Sequence, residues 1–179
     1  MVKLVALASL LLAGIAHAET NIEQRVGWNF DLGRLPIEDK TFAYGLGLEL
    51  DQHLGGRWFA SAAYHWRWTE HDIDAMTNTP GSAHELALGL RRRLAAKLVM
   101  DFMTLFVDGE AGVGAQLVTD DRGSRPLPEA YAGLRFGYVI AEHRGPSPER
   151  GIEFDFGARA VAIDHGIGGM FVVTMAWDD

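Results

Sequence analysis

The feature that most constrains this chain is a hydrophobic period of two that returns in eight successive segments. From Ile22 onward, Val26, Trp28, Phe30 and Leu32 share one face, and Glu23, Arg25, Asn29 and Asp31 the other. Such alternation puts successive side chains on opposite sides of a β-strand. Phe42, Tyr44, Leu46, Leu48 and Leu50 then alternate with Ala43, Gly45, Gly47 and Glu49. Trp58, Ala60, Ala62, Tyr64, Trp66 and Trp68 oppose Phe59, Ser61, Ala63, His65 and Arg67. In the second half, Leu86, Leu88, Leu90 and Leu94 oppose Glu85, Ala87, Gly89, Arg91 and Arg93, with Arg92 near a strand end. Leu105, Val107, Ala111, Val113, Ala115 and Leu117 oppose Phe106, Asp108, Glu110, Gly112, Gly114 and Gln116. Two further segments, around Ala132 to Ile140 and Ile152 to Ala160, follow the rule, and Phe171, Val173, Met175 and Trp177 close the series.

The faces themselves decide which all-β architecture is expected. A soluble sandwich also alternates, but its second face would be a solvated exterior. Here the second face mixes glycine with both signs of charge, which suits a narrow lumen, while the first face is continuously apolar with aromatics near strand ends, which suits lipid and its interfaces. Lipid leaves backbone groups without partners, so a strand-built membrane protein has to close on itself. The sequence therefore predicts an all-β, eight-stranded antiparallel transmembrane β-barrel. With both termini on the periplasmic side, the connections near 33–40, 69–83, 118–129 and 163–169 face outward, and those near 51–57, 95–101 and 141–150 inward.

The N-terminus fits export. Lys3 precedes an apolar run from Leu4 to Ile15, then Ala16, His17 and Ala18 ahead of Glu19. That is the pattern of a secretory signal peptide cleaved after Ala18, and the run is short for a membrane helix. Residues 1–18 are read as the signal peptide and 19–179 as one barrel domain of the cell outer membrane.

Composition excludes several functions. A formal net charge of -8 argues against nucleic acid as a partner. With no cysteine there is neither a disulfide framework nor a thiolate metal site. Five of the six prolines cluster at Pro80, Pro126 to Pro128 and Pro146 to Pro148, which places them in connections. No cofactor is expected. Glu70, His71, Asp72 and Asp74 could in principle meet a divalent cation, but a solvated surface loop accounts for them, and no metal site is assigned.

The candidate lumen set is Glu49, His65, Arg67, Glu85, Arg91, Asp108, Glu110, Tyr131, Arg135, Glu153, Asp155 and Arg159. An eight-stranded barrel is just wide enough for side chains to fill. The favoured reading is a mutually neutralising packing network, not a pore or a catalytic pair such as Asp108 with Glu110.

Tyr44-Gly45-Leu46-Gly47-Leu48, Ala63-Tyr64-His65-Trp66, Asp108-Gly109-Glu110-Ala111-Gly112-Val113-Gly114 and Gly157-Ala158-Arg159-Ala160 resemble strand texts of the PagL-type lipid A 3-O-deacylases. That resemblance, over roughly residues 42–177, implies an outer-membrane barrel acting as an esterase on lipopolysaccharide through a His-x-Ser-Asn motif after the arginine of strand seven. The chain departs from the motif: counting from Arg159, Ala162 or Ile163 stands where histidine belongs and Asp164 where serine belongs. The last strand offers no glutamate between Gly169 and Trp177. Asp164 and His165 are the remaining candidate catalytic residues. Adjacent strand positions point apart, so they could cooperate only if a turn bends them together. Ser82 with His84 is a weaker hydroxyl and imidazole pair.

Two function classes follow. The first is a non-enzymatic barrel with a structural or lipopolysaccharide-interacting role, whose partner is outer-membrane lipid. The alternative is a lipid A deacylase with a rearranged site. A solute channel is disfavoured by the filled lumen.

Overall fold

A computed structural model describes residues 24–37, 41–71, 79–120, 123–141, 151–164 and 166–178. Eight strands follow one another: β1 (Gln24–Leu35), β2 (Thr41–Gly55), β3 (Trp58–His71), β4 (Thr79–Met100), β5 (Met103–Asp120), β6 (Gly123–Ala141), β7 (Gly151–Ile163) and β8 (Gly166–Asp178). Each pairs with its sequence neighbours, and β1 closes on β8, giving a closed antiparallel barrel. The proposed signal peptide lies outside the described residues.

The registers fix the barrel's geometry. Starting at Val113, cross-strand partners run through Leu88, Ala62, Leu50, Val26, Trp177, Ile152 and Ile140 and return to β5 at Met103. Positions 113 and 103 of one strand differ by ten residues, and that difference is the shear of the barrel. Eight strands with that stagger tilt by about 40° and enclose a lumen of side-chain width.

The alternation works out as expected, with apolar residues outside. Trp28, Leu46, Val113 and Leu134 are 53%, 51%, 63% and 58% exposed, values that suit a wall solvated by lipid. Aromatic residues gather near both ends of this wall. Trp58, Trp177 and the stacked pair Tyr138 and Phe154 lie at the end that carries the chain termini. Tyr44, stacked on Trp68 at 5.7 Å, lies at the opposite end, the one expected to face outward.

The expected connections need correction because the strands run further than the alternation suggested: β1 takes in 33–35, β2 51–55, β3 69–71 with Glu70 and His71, β7 and β8 163 and 166–169, and β4, β5 and β6 reach 22, 18 and 19 residues. The stretch 95–101 is mostly the end of β4, and 118–129 is mostly β5 and β6, joined across residues 121–122. Thr79 to Ala83, assigned to the longest outward connection, already belong to β4. Arg92 accordingly lies within β4 rather than at its end. Pro80, Pro126 and Pro128 are therefore in strands. Each sits at a rim where its strand has one neighbour only, because β4 meets β5 from Ser82 and β6 meets β7 from Glu129. A strand edge without a partner is where a missing N–H costs no ladder bond. Pro146 and Pro148 lie outside the described residues.

Candidate functional site

The lumen is filled in three layers. Nearest the terminal end, Phe59 and Phe106 stack under guanidiniums, with Arg93 Cζ 4.1 Å from the Phe106 ring and Arg91 Cζ 4.9 Å from that of Phe59. Arg93 grips Asp108 with two bonds, Nε to Oδ1 at 3.0 Å and Nη2 to Oδ2 at 3.2 Å. It also reaches Glu153 at 3.1 Å. Arg25 pairs with Glu153 and donates from Nε to Asp51 at 2.8 Å. Asp51 also meets Arg91 at 3.0 Å.

The middle layer turns on Arg135. Its Nε donates to Glu110 Oε2 at 2.8 Å, its Nη2 to Glu49 Oε2 at 2.8 Å and its Nη1 to Thr174 Oγ1 at 3.3 Å. Arg159 holds the same Glu110 with two bonds, at 2.9 and 3.1 Å, and lies over the Tyr131 ring at 4.2 Å. Above it, Arg67 donates to Asp31 at 2.7 Å and pairs with Glu85, which also meets His65 Nδ1 at 3.1 Å. Gln116 donates to Glu129 at 2.6 Å.

Toward the end opposite the chain termini the lumen becomes apolar. Leu35, Ala43, Ala83, Val118, Val161, Ile163 and Met170 are buried there as one cluster. The cluster lies over the ion-pair network beneath it, with Arg125 and Glu129 as the cross-strand partners of Val118 and Ile163.

All twelve residues of the expected lumen set are buried, at 8% exposure or less. Four more buried charges join them: Arg25, Asp31, Asp51 and Glu129. Arg25 and Asp31 belong to the polar face of the first segment but not to the expected lumen set. Asp51 and Glu129 fall within the expected connections 51–57 and 118–129 but lie in β2 and β6. The signal for those two was parity, since Asp51 continues the inward series of Glu49 and Glu129 that of Tyr131. Small residues make this packing possible. A Cβ at Gly112 would lie 2.5 Å from both Cζ and Oη of Tyr131, and one at Gly133 would come 2.9 Å from Glu110 Oε1.

The candidate catalytic residues do not form a comparable arrangement. Asp164 is exposed in the turn from β7 to β8 with φ 53°, a left-handed conformation that aspartate tolerates better than most residues. Ile163 before it points into the apolar cluster, and Ala162 faces the exterior. His165 lies outside the described residues, as do Asp72 and Asp74. Among the described residues no group of histidine and carboxylate side chains has the form of a metal site. Ser82 and His84 share the outer face of β4. His84 is engaged by Tyr64, with Oη 2.8 Å from Nδ1, and stacks on Trp66 with planes 6° apart.

Comparisons with known proteins bear on this architecture. Neither a family model nor a curated protein matches the chain. Among solved structures, Neisserial surface protein A aligns over 88% of this chain and 96% of its own, with a TM-score of 0.52 at 6% identity. Ail, the attachment invasion locus protein of Yersinia pestis, solved with the heparin analogue sucrose octasulfate, aligns over 89% of this chain and 100% of its own, with a TM-score of 0.48 at 12% identity. At such identities the likeness is one of fold. The match to Neisserial surface protein A, with the closed ring of eight strands, makes the fold that of a small eight-stranded barrel.

Proposed function

We propose that the chain is an exported outer-membrane barrel with a non-enzymatic role, structural or directed at lipopolysaccharide, which acts through its lipid-facing wall and outer rim. The observation that carries this reading is the pairing of a sealed interior with an apolar exterior. Arg135, Arg67 and Arg91 are fully enclosed by carboxylates, and the apolar cluster around Val118 and Ile163 lies above them. A lumen of this kind offers neither a conduit nor a substrate route. The wall, by contrast, has the aromatic ends and apolar middle that a bilayer selects.

The resemblance to lipid A deacylases enters this reading through membrane location and lipid partner rather than through chemistry. Ala162 cannot take a proton, and Asp164 is an aspartate where the motif has its serine. The test is expression in Gram-negative cells, with fractionation of the envelope and mass spectrometry of lipid A. The protein is expected in the outer membrane, processed after Ala18, with lipid A unchanged from a vector control. Loss of an ester-linked acyl chain that an Asp164→Ala, His165→Ala double variant abolishes would replace this reading with an esterase.

A further inference from the structure

The wall of the barrel is not uniform around its circumference. On β2 and β3 its outer part carries Tyr44, Trp66 and Trp68. On the far side, Ala132, Ala160 and Gly169 are successive cross-strand partners on β6, β7 and β8. They form the floor of a shallow groove whose flanks include Leu134 and Phe171, 58% and 43% exposed. The floor is open where it matters, because a Cβ at Gly169 would meet nothing within 4 Å. In β1 the partner of Gly169 is Arg34, an exposed cation on the same outward face, one residue from the outer end of its strand. Arg34 has no ion-pair partner among the described residues.

We propose that this groove seats one acyl chain of a phosphorylated glycolipid of the outer leaflet, and that Arg34 holds the lipid's phosphate. The inference rests on the lipopolysaccharide-directed reading above and gives it a site. A depression in a lipid-facing wall is filled by hydrocarbon when, as here, its exposed lining is predominantly apolar and has few polar groups to hold water. A guanidinium at headgroup depth then selects an anionic head, and phosphate is the group its planar fork fits best. Shape argues against a second copy of the chain as the occupant. An isologous contact sets a patch against itself, so the groove would face a groove and leave a void between the flanking side chains.

The test uses the full-length protein purified from outer membranes and placed in phosphatidylcholine nanodiscs doped with bis-phosphorylated lipid A or, in parallel, with its dephosphorylated form. Bound lipid is read by native mass spectrometry. Arg34→Gln is expected to weaken retention of the phosphorylated lipid roughly tenfold, as loss of one charge-assisted contact at a wet interface implies, and to leave the dephosphorylated lipid unaffected. Gly169→Trp and Ala160→Leu, which fill the groove, are expected to weaken both. Leu88→Trp, on the opposite wall, is expected to change neither. Folding of each variant is checked by the heat-induced shift of its band on a denaturing gel. Equal retention by all variants would overturn the proposal and leave only non-selective lipid contact. A dimer that Gly169→Trp splits would overturn it in favour of contact between copies. Neither result touches the sealed-barrel reading, which stands on fractionation and conductance.

Discussion

Replacing Arg135 with methionine should destabilise the barrel by about 3–5 kcal/mol, the usual cost of leaving buried carboxylates without their cation. The structure says why the cost is at the full scale. Arg135 is 2% exposed and serves three acids at once. Without it, among the described residues, Glu49 keeps only the Arg25 ion pair at 3.5 Å, Glu110 keeps only that with Arg159, and Asp155 loses a cation 3.7 Å away and retains Arg25 at 4.0 Å. The buried carboxylates named above already outnumber the guanidiniums, so removing a cation deepens an existing imbalance. Removing an acid relieves it. Glu153→Gln, which keeps an acceptor for Arg93, should cost only about 1–2 kcal/mol. Urea unfolding in lipid vesicles, followed by fluorescence of the wall tryptophans, measures both. At 1.4 kcal/mol per decade, the arginine variant should shift the unfolding equilibrium by more than about a hundredfold. A loss near 1 kcal/mol, the range of exposed ion pairs, or a larger loss for Glu153→Gln than for Arg135→Met, would refute the claim that the network is dry and closed.

Gly112→Val should cost about 1–3 kcal/mol by overpacking against Tyr131, whereas Gly169→Ala should change stability by less than about 0.5 kcal/mol; the same unfolding assay separates them. Val118→Ala in the apolar cap should cost about 1–2 kcal/mol, since Val118 is fully buried, without opening the lumen to dye or ions, because Arg67, Glu85 and Glu129 still fill the space below. The chain has no native cysteine, so a single introduced thiol reports topology. Ser124→Cys at the outer rim should react with a membrane-impermeant maleimide on intact cells, and Asp101→Cys, at the opposite end, only after the outer membrane is opened; the reverse pattern would invert the barrel.

Much of this architecture is written in the sequence because a period of two is a direct consequence of strand geometry. A strand whose two faces meet lipid and lumen has to alternate, and Phe42 to Leu50 does so without a break. The inward charges were legible for the same reason, and their burial follows once eight strands close. Strand length was less legible. β4 continues through Ala95 and Ala96 past a bulge between Arg93 and Ala95, where the ladder shifts by one residue and the simple period fails. Pro126 and Pro128 read as a loop because proline weakens a ladder, but they stand on an edge where β6 has no second partner. The groove beside Arg34 was not legible at all. It depends on Ala132, Ala160 and Gly169 falling side by side, and that juxtaposition is set by the registers of three strands rather than by any local pattern.

Current through the purified protein in a planar lipid bilayer tests the central claim most directly. A barrel whose lumen is occupied by the Arg135 and Arg67 networks and capped by the cluster around Ile163 should show no discrete conductance steps at any applied voltage at which the bilayer itself holds. Stable, reproducible single-channel steps from correctly folded protein would contradict it and make the charged lumen a pathway.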